Sequence, residues 1–175
     1  GSGTGEVALL EQKLVGDTGH VTALDPSEGM LAVAKQNGVK NTIIGKGENL
    51  PFDDAHFDLL TMGYALRHVA DLVQTFTEYR RVLKPGSKVL ILEITRPQGK
   101  LAYWISKIHL KYLVPFITRI FRRSADAQRL MEYYWETIEH CVPPEAIQAA
   151  LASAGFSQVQ RRVELRIFSE YTAVA

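Results

Sequence analysis

Along this chain, short apolar runs alternate with stretches whose apolar positions recur at helical spacing, and no low-complexity tract or Ser/Gly linker interrupts them. That rhythm belongs to an α/β domain, where buried strands are nearly all apolar and each helix carries one apolar stripe. The first helix starts in the glycine loop GSGTG and runs through Val7, Leu9, Leu10 and Leu14 to turn residues near Gly16. A strand from His20 to Asp25 follows. Ser27 to Asn37 predicts a second helix ending at Gly38, where glycine takes the left-handed cap without strain. Thr42 to Ile44 is a strand that ends at the glycines of GKGE, and Phe57 to Met62 is another.

Asp71 followed by Gln74 has capping-box spacing and predicts a helix through Phe76 and Tyr79 to Leu83, stopped by Pro85 and Gly86. Lys88 to Ile94, KVLILEI, reads as a parallel strand covered on both faces. Pro144 to Ala154 is a helix closed by Gly155, and Ser157 to Leu165 and Glu170 to Ala175 are two last strands. Too few residues separate those two for a crossover helix, so they pair antiparallel. Between Pro97 and Val142 the rhythm breaks, with Tyr103, Trp104, Tyr112, Phe116, Phe121, Tyr133, Tyr134 and Trp135 set among basic residues. That stretch reads as a helical insertion, a lid.

At 175 residues and 46% hydrophobic, the chain can bury one core without disulfides or structural metal. Twenty Lys plus Arg against 19 Asp plus Glu leave no bulk field to draw it to nucleic acid. The single cysteine, Cys141, has no disulfide partner and points to a reducing, cytoplasmic setting. Adjacent His140 and Cys141 cannot supply the three or four ligands of a zinc site, so no metal is expected. No run of about 18 uncharged apolar residues suggests a spanning helix, and no basic segment leads into an apolar one as in a signal peptide. The stretch from Leu101 to Arg123 either covers the sheet or, through Lys107, Lys111, Arg119, Arg122 and Arg123, meets anionic lipid at the inner membrane face.

The chemistry starts with the loop. Gly1, Gly3 and Gly5 let backbone approach a ligand closely, and Asp25, at the end of the next strand, can accept hydrogen bonds from both hydroxyls of an adenosine ribose. Together they indicate a nucleoside cofactor. A nicotinamide dinucleotide favours G-x-G-x-x-G, yet Glu6 follows Gly5 here and would repel a pyrophosphate. S-adenosyl-L-methionine carries no phosphate and suits the loop better.

In this order, GSGTGEVA, VTALDPSEGML, GENLPF, FDLLTMGYALRHV and RVLKPGSKVLILE resemble class I S-adenosylmethionine-dependent methyltransferases. ALRHV and EITRP, with MEYYWETIEHCVPPEAI and AGFSQV, make nearly the whole chain similar to the ubiquinone/menaquinone biosynthesis C-methyltransferase family. The resemblance implies a Rossmann-like sheet with an antiparallel final strand, one methyltransferase domain over 1–175, and residues 97–142 as its lid. It also implies that Gly1, Gly3 and Gly5 line the methionine end of the cofactor and Asp25 holds the ribose. Met30 would pack near the adenine, Gly47 and Glu48 would flank the base, and Gly63 would lie beside the sulfonium. Met30 at its helical spacing equally fits a core position.

The implied activity is methylation of a ring carbon of a prenylated quinol precursor, with a lipophilic small molecule as partner and a homodimer left open. Alternatives are an O- or N-methyltransferase for another lipophilic metabolite, or a non-catalytic scaffold that kept the fold. A methyl sulfonium mainly needs its acceptor aligned and water excluded. A ring carbon also needs phenolate character, so a base or cation near the hydroxyl helps, and Arg67 and His68 are the candidates. Two departures stand out. Relatives often have Asp or Asn where this chain has Lys46, which cannot accept from the adenine amino group, and Asn where it has His68.

Proteins of this fold place a strand directly before the glycine loop, at the centre of the sheet, whereas this sequence starts at the loop. The expectation is therefore a truncated domain. Its flanking strands either close up, take a strand from another chain, or lose backbone partners at roughly 1 kcal/mol or more per unmade buried hydrogen bond.

Overall fold

The computed structural model describes residues 1–96, 99–108, 138, 141–165 and 167–175. Most of the expected lid, including Tyr112, Lys111, Phe116, Arg119, Phe121, Arg122, Arg123, Tyr133, Tyr134, Trp135 and His140, lies outside them.

Helices α1 (Glu6–Val15), α2 (Glu28–Gln36), α3 (Leu72–Val82), α4 (Lys100–Lys107) and α5 (Pro144–Ser153) alternate with strands β1 (Thr22–Asp25), β2 (Asn41–Ile44), β3 (Phe57–Gly63), β4 (Leu83–Ile94), β5 (Ser157–Glu164) and β6 (Phe168–Val174). Two helices start on side-chain caps, the one at Asp71 as expected. Ser27 Oγ accepts the Met30 amide at 3.3 Å and Asp71 Oδ1 accepts the Gln74 amide at 2.9 Å, each satisfying a donor that the first turn leaves without a partner. The third helix turns straight into β4 at Leu83, before the expected Pro85–Gly86 stop. Register jumps from the Phe57–Leu83 pair to Leu59–Lys88, and Pro85 and Gly86 fall in the bulge between, where proline's missing N–H is harmless.

Strands β1 and β2 form a parallel pair, while the other four form a second sheet in the order β3-β4-β6-β5. β3 and β4 are parallel, and β6 runs antiparallel to both β4 and β5, as the short connection requires. α3 and α5 cover one face of this sheet, burying Phe76, Val82, Ile147 and Leu151 against Val89, Ile91, Tyr171 and Ala173. The β1–β2 pair has its own small cluster of Ala8, Ala23, Ala34 and Val39, whose short side chains bring α1 and α2 close to the strands.

The class I arrangement is present, with its expected gap. No strand among the described residues lies between β1 and β3, and the two do not pair with each other. The Gly1 amine and Ser2 amide both donate to Leu24 O, at 2.8 and 2.9 Å, while a Cβ on Gly1 would stand 2.7 Å from Ala65 Cβ. Residues 1 and 2 thus sit between the end of β1 and the chain leaving β3. At the resulting edge, Leu59 of β3 is half exposed.

Candidate cofactor and acceptor site

The two inner glycines of the loop serve different ends. Gly5, at φ +87°, is buried, and a Cβ there would meet Val39 Cγ2 at 2.5 Å and Ala34 Cβ at 3.1 Å, so it lets α1 close on α2. Gly3, at φ +56°, has nothing within 4 Å of a Cβ position. Its hydrogen thus leaves space that a side chain would fill.

Asp25 closes the loop. It is only 7% exposed, with Oδ2 accepting the Gly3 amide at 2.8 Å and Oδ1 accepting the Ser27 amide at 2.9 Å. A carboxylate offers about four lone-pair sites, so about two remain for hydroxyl donors. Ser2 Oγ, in the same loop, is buried without a hydrogen-bond partner among the described residues. A buried hydroxyl in that state suits a polar ligand.

Beyond β2, Lys46 and Asn49 form an isolated bridge around Gly47 and Glu48. A Cβ on Gly47 would stand 2.8 Å from the Tyr79 hydroxyl, so glycine lets this turn settle onto α3. Burial pushes the Tyr79 phenol far above its ordinary range, helped by the Glu48 carboxylate, and the hydroxyl donates to Met62 Sδ at 3.5 Å. Glu48 and Asp25 also both act on the Gly1 amine. With Glu6 in the first turn of α1 directly after it, the loop has acidic neighbours, which disfavours a phosphate ligand. Met30 is 48% exposed in the first turn of α2, so it does not fill the core.

The second group of candidate residues begins at Gly63, whose Cβ position lies 3.5 Å from Val7 Cγ2. Tyr64 follows at φ +57°, a conformation strained for a tyrosine, and its carbonyl accepts from Arg67 Nη1 at 3.3 Å. Leu66–His68 is a 3-10 turn that keeps Arg67 half-buried and exposes His68. The buried Glu93 of β4 accepts the Leu66 amide at 3.1 Å. Burial pushes the Glu93 carboxyl above its ordinary value, opposed by the Ile94 and Leu66 amides and by the charge of Arg67. Burial also raises the Cys141 thiol, which argues against a reactive thiolate.

The structure therefore brings Gly1, Gly3 and Asp25 together, with Glu48 near enough to act on the Gly1 amine, and carries Arg67 and His68 on the turn that follows Gly63 and Ala65. Ser2, Tyr64 and Glu93 join them without having been singled out in the sequence. A lone carboxylate in KVLILEI was the available signal for Glu93; nothing marked the positive φ of Tyr64.

Residues 1–165 match the ubiE/COQ5 methyltransferase family. The chain belongs to that family. It is 34% identical over 166 residues to the demethylmenaquinone methyltransferase of Staphylococcus saprophyticus, covering 91% of this chain and 69% of that protein. It is 32% identical over 164 residues to the ubiquinone/menaquinone biosynthesis C-methyltransferase UbiE of Shewanella halifaxensis, covering 90% of this chain and 64% of that protein. The chain thus spans about two thirds of the length of these relatives. Among solved structures, a SAM-dependent methyltransferase from Aquifex aeolicus superposes with a TM-score of 0.68 at 19% identity, over 99% of this chain and 78% of that one. The [4+2]-cyclase SpnF superposes with a TM-score of 0.67 at 16% identity, over 99% and 72%. Such neighbours establish the class I fold, and the second shows that the fold alone does not fix the reaction.

Proposed function

We propose that this protein transfers a methyl group from S-adenosyl-L-methionine to a ring carbon of a lipophilic, prenylated quinol precursor. Family membership supports the reaction class, and the activities of the two relatives support the acceptor. The observation that carries the cofactor is the tie between the glycine loop and Asp25, with the unsatisfied Ser2 hydroxyl beside it.

When bound, the cofactor supplies an electrophilic methyl group and takes back the electron pair of the broken C–S bond. Gly3 leaves room for the amino-acid tail, and the remaining lone pairs of Asp25 accept the ribose hydroxyls. Met30 offers an exposed apolar surface to the adenine, while Gly47 and Glu48 flank it. His68 accepts the hydroxyl proton and Arg67 stabilises the resulting negative charge on the quinol oxygen, which makes the neighbouring ring carbon nucleophilic; the proton that this carbon loses after methyl transfer returns to the oxygen. No helix among the described residues is long and apolar enough to cross a membrane. With respect to the described residues, α4 and the residue after it expose Leu101, Trp104, Ile105 and Ile108 at helical spacing, which supports peripheral contact with the membrane that holds a prenylated acceptor.

Incubation with labelled cofactor and candidate demethylated quinols, read by mass spectrometry with fragmentation, tests the activity. The expected product carries the label on ring carbon. Label on oxygen or nitrogen moves the acceptor class, and a protein that binds no cofactor in calorimetry sinks the proposal.

A further inference from the structure

In β4 the side chains of Val89, Ile91 and Glu93 fall on one face in a buried row. A carboxylate 2% exposed in such a row is costly unless something holds it. Two backbone amides do. Oε1 accepts the amide of Ile94 at 2.9 Å and Oε2 that of Leu66 at 3.1 Å. Leu66 opens the 3-10 turn that carries Arg67 and His68, and its own side chain is fully buried in the main core. The turn is thus fastened to the end of β4 by both backbone and side chain. Among the described residues, the charged and titratable groups facing Glu93 are Arg67 from the turn, Cys141 ahead of α5, and Tyr171 from β6, with Arg96 and Arg161 acting on the latter two.

We propose that Glu93 is the positioning residue of the acceptor half, its carboxyl group fixing the Leu66–His68 backbone so that Arg67 and His68 meet the methyl acceptor. This rests on the reading of Arg67 and His68 as acceptor contacts. Holding a catalytic group in place is worth much of a barrier, and a displacement near 1 Å costs about a hundredfold in rate. Neither Asp25 nor Gly3 touches Glu93, so the cofactor half is not its task.

The test is Glu93→Gln, in which one acceptor oxygen becomes an NH2 donor facing a backbone amide, so one of the two anchors must break. Expected is a fall in kcat of about tenfold to a hundredfold, with cofactor affinity changed by less than about twofold. Equal losses in both would make Glu93 a general structural residue and overturn the proposal, as would an unchanged kcat. If the wild-type protein methylates nothing, the proposed activity fails, yet the anchor stays measurable: amide exchange at Leu66 or at Ile94, whichever the new NH2 group faces, must quicken by about tenfold or more in Glu93→Gln. Unchanged exchange overturns it. Should the variant not fold, NMR of the wild-type protein decides. The Leu66 and Ile94 amides must follow one shared titration lying above the ordinary glutamate value, and independent or absent titrations count against the anchor.

Discussion

The carboxylate of Asp25 takes the amide of Gly3 at 2.8 Å, so the residue read as the ribose contact also shapes the loop that admits the cofactor. Its other oxygen holds Ser27, the cap of α2. Asp25→Asn keeps the size but offers one acceptor oxygen in place of two. The loss of a charged hydrogen bond costs about 1.5–3 kcal/mol, which at this size lowers Tm by very roughly 2–4 °C per kcal/mol. Calorimetry of the folded variant is expected to show no measurable cofactor binding. Wild-type affinity in Asp25→Asn would refute the site.

Two alanine substitutions in the same loop separate packing from binding. Gly5→Ala drives a methyl into Val39 and Ala34 at a positive φ, so the loss falls on stability, at about 1–3 kcal/mol for the backbone strain alone. Gly3→Ala meets no atom and carries only the cost of a left-handed residue, about 1–2 kcal/mol, but its methyl enters the space assigned to the ligand. Thermal melts and titrations on both variants are expected to rank them oppositely. Equal effects of Gly3→Ala on melting and on affinity would mean that no ligand approaches there.

The elements legible in the sequence are those set by local rules. Asp71 caps the helix it was read to cap, Ser27 opens the second helix where the pattern began it, and the apolar run after Ser87 is the buried strand it resembled. Where boundaries moved, a partner strand decided them. β6 begins at Phe168, ahead of the expected Glu170, because Phe168 and Ser169 pair with Ile94 and Glu93. The site divides in the same way. Asp25 and the glycines follow from local pattern, whereas the Glu93–Leu66 bond joins residues 27 apart and has no local trace. Tyr64 was hidden for another reason, since its left-handed backbone is imposed by the surroundings against the preference of its side chain.

A pH dependence follows from the segment that carries Gly47 and Glu48. Arg81 grips Glu78 through two bonds, at 2.7 and 2.8 Å, and also reaches Asp54 Oδ1, Phe52 O and Leu50 O, while the Leu50 amide donates to Glu78. The hydrogen bonds from Arg81 hold the Glu78 carboxyl below its ordinary value, against a smaller opposing effect of burial. A lowered folded pKa means that the unfolded chain binds the proton first. This contribution is therefore present above the ordinary glutamate value of about 4.3 and is lost as pH falls through the lowered one. Melts across that range are expected to show an acid limb in the wild-type protein that flattens in Arg81→Ala. An identical limb in both would remove Glu78 as its source.

Lys46 offers the sharpest test of how the base is held, because a hydrogen-bond acceptor was expected at this position of the proposed cofactor half and a lysine stands there. It is exposed, and the turn around it is fixed by the bridge to Asn49 and by Gly47 against Tyr79, so a replacement at 46 need not disturb the backbone. A lysine there can only donate, and the adenine amino group is itself a donor. Lys46→Asp supplies an acceptor and adds a carboxylate near Glu48 on the side that faces a cationic cofactor. One hydrogen bond of about 1–2 kcal/mol corresponds to roughly five- to thirtyfold in affinity, so calorimetry is expected to find tighter binding by about that factor. The substitution leaves Arg67, His68 and Glu93 untouched, and kcat at saturating cofactor is expected to stay at the wild-type value. Equal or weaker affinity in Lys46→Asp would mean that a backbone carbonyl already takes the amino group, and that the lysine is accommodated here without loss.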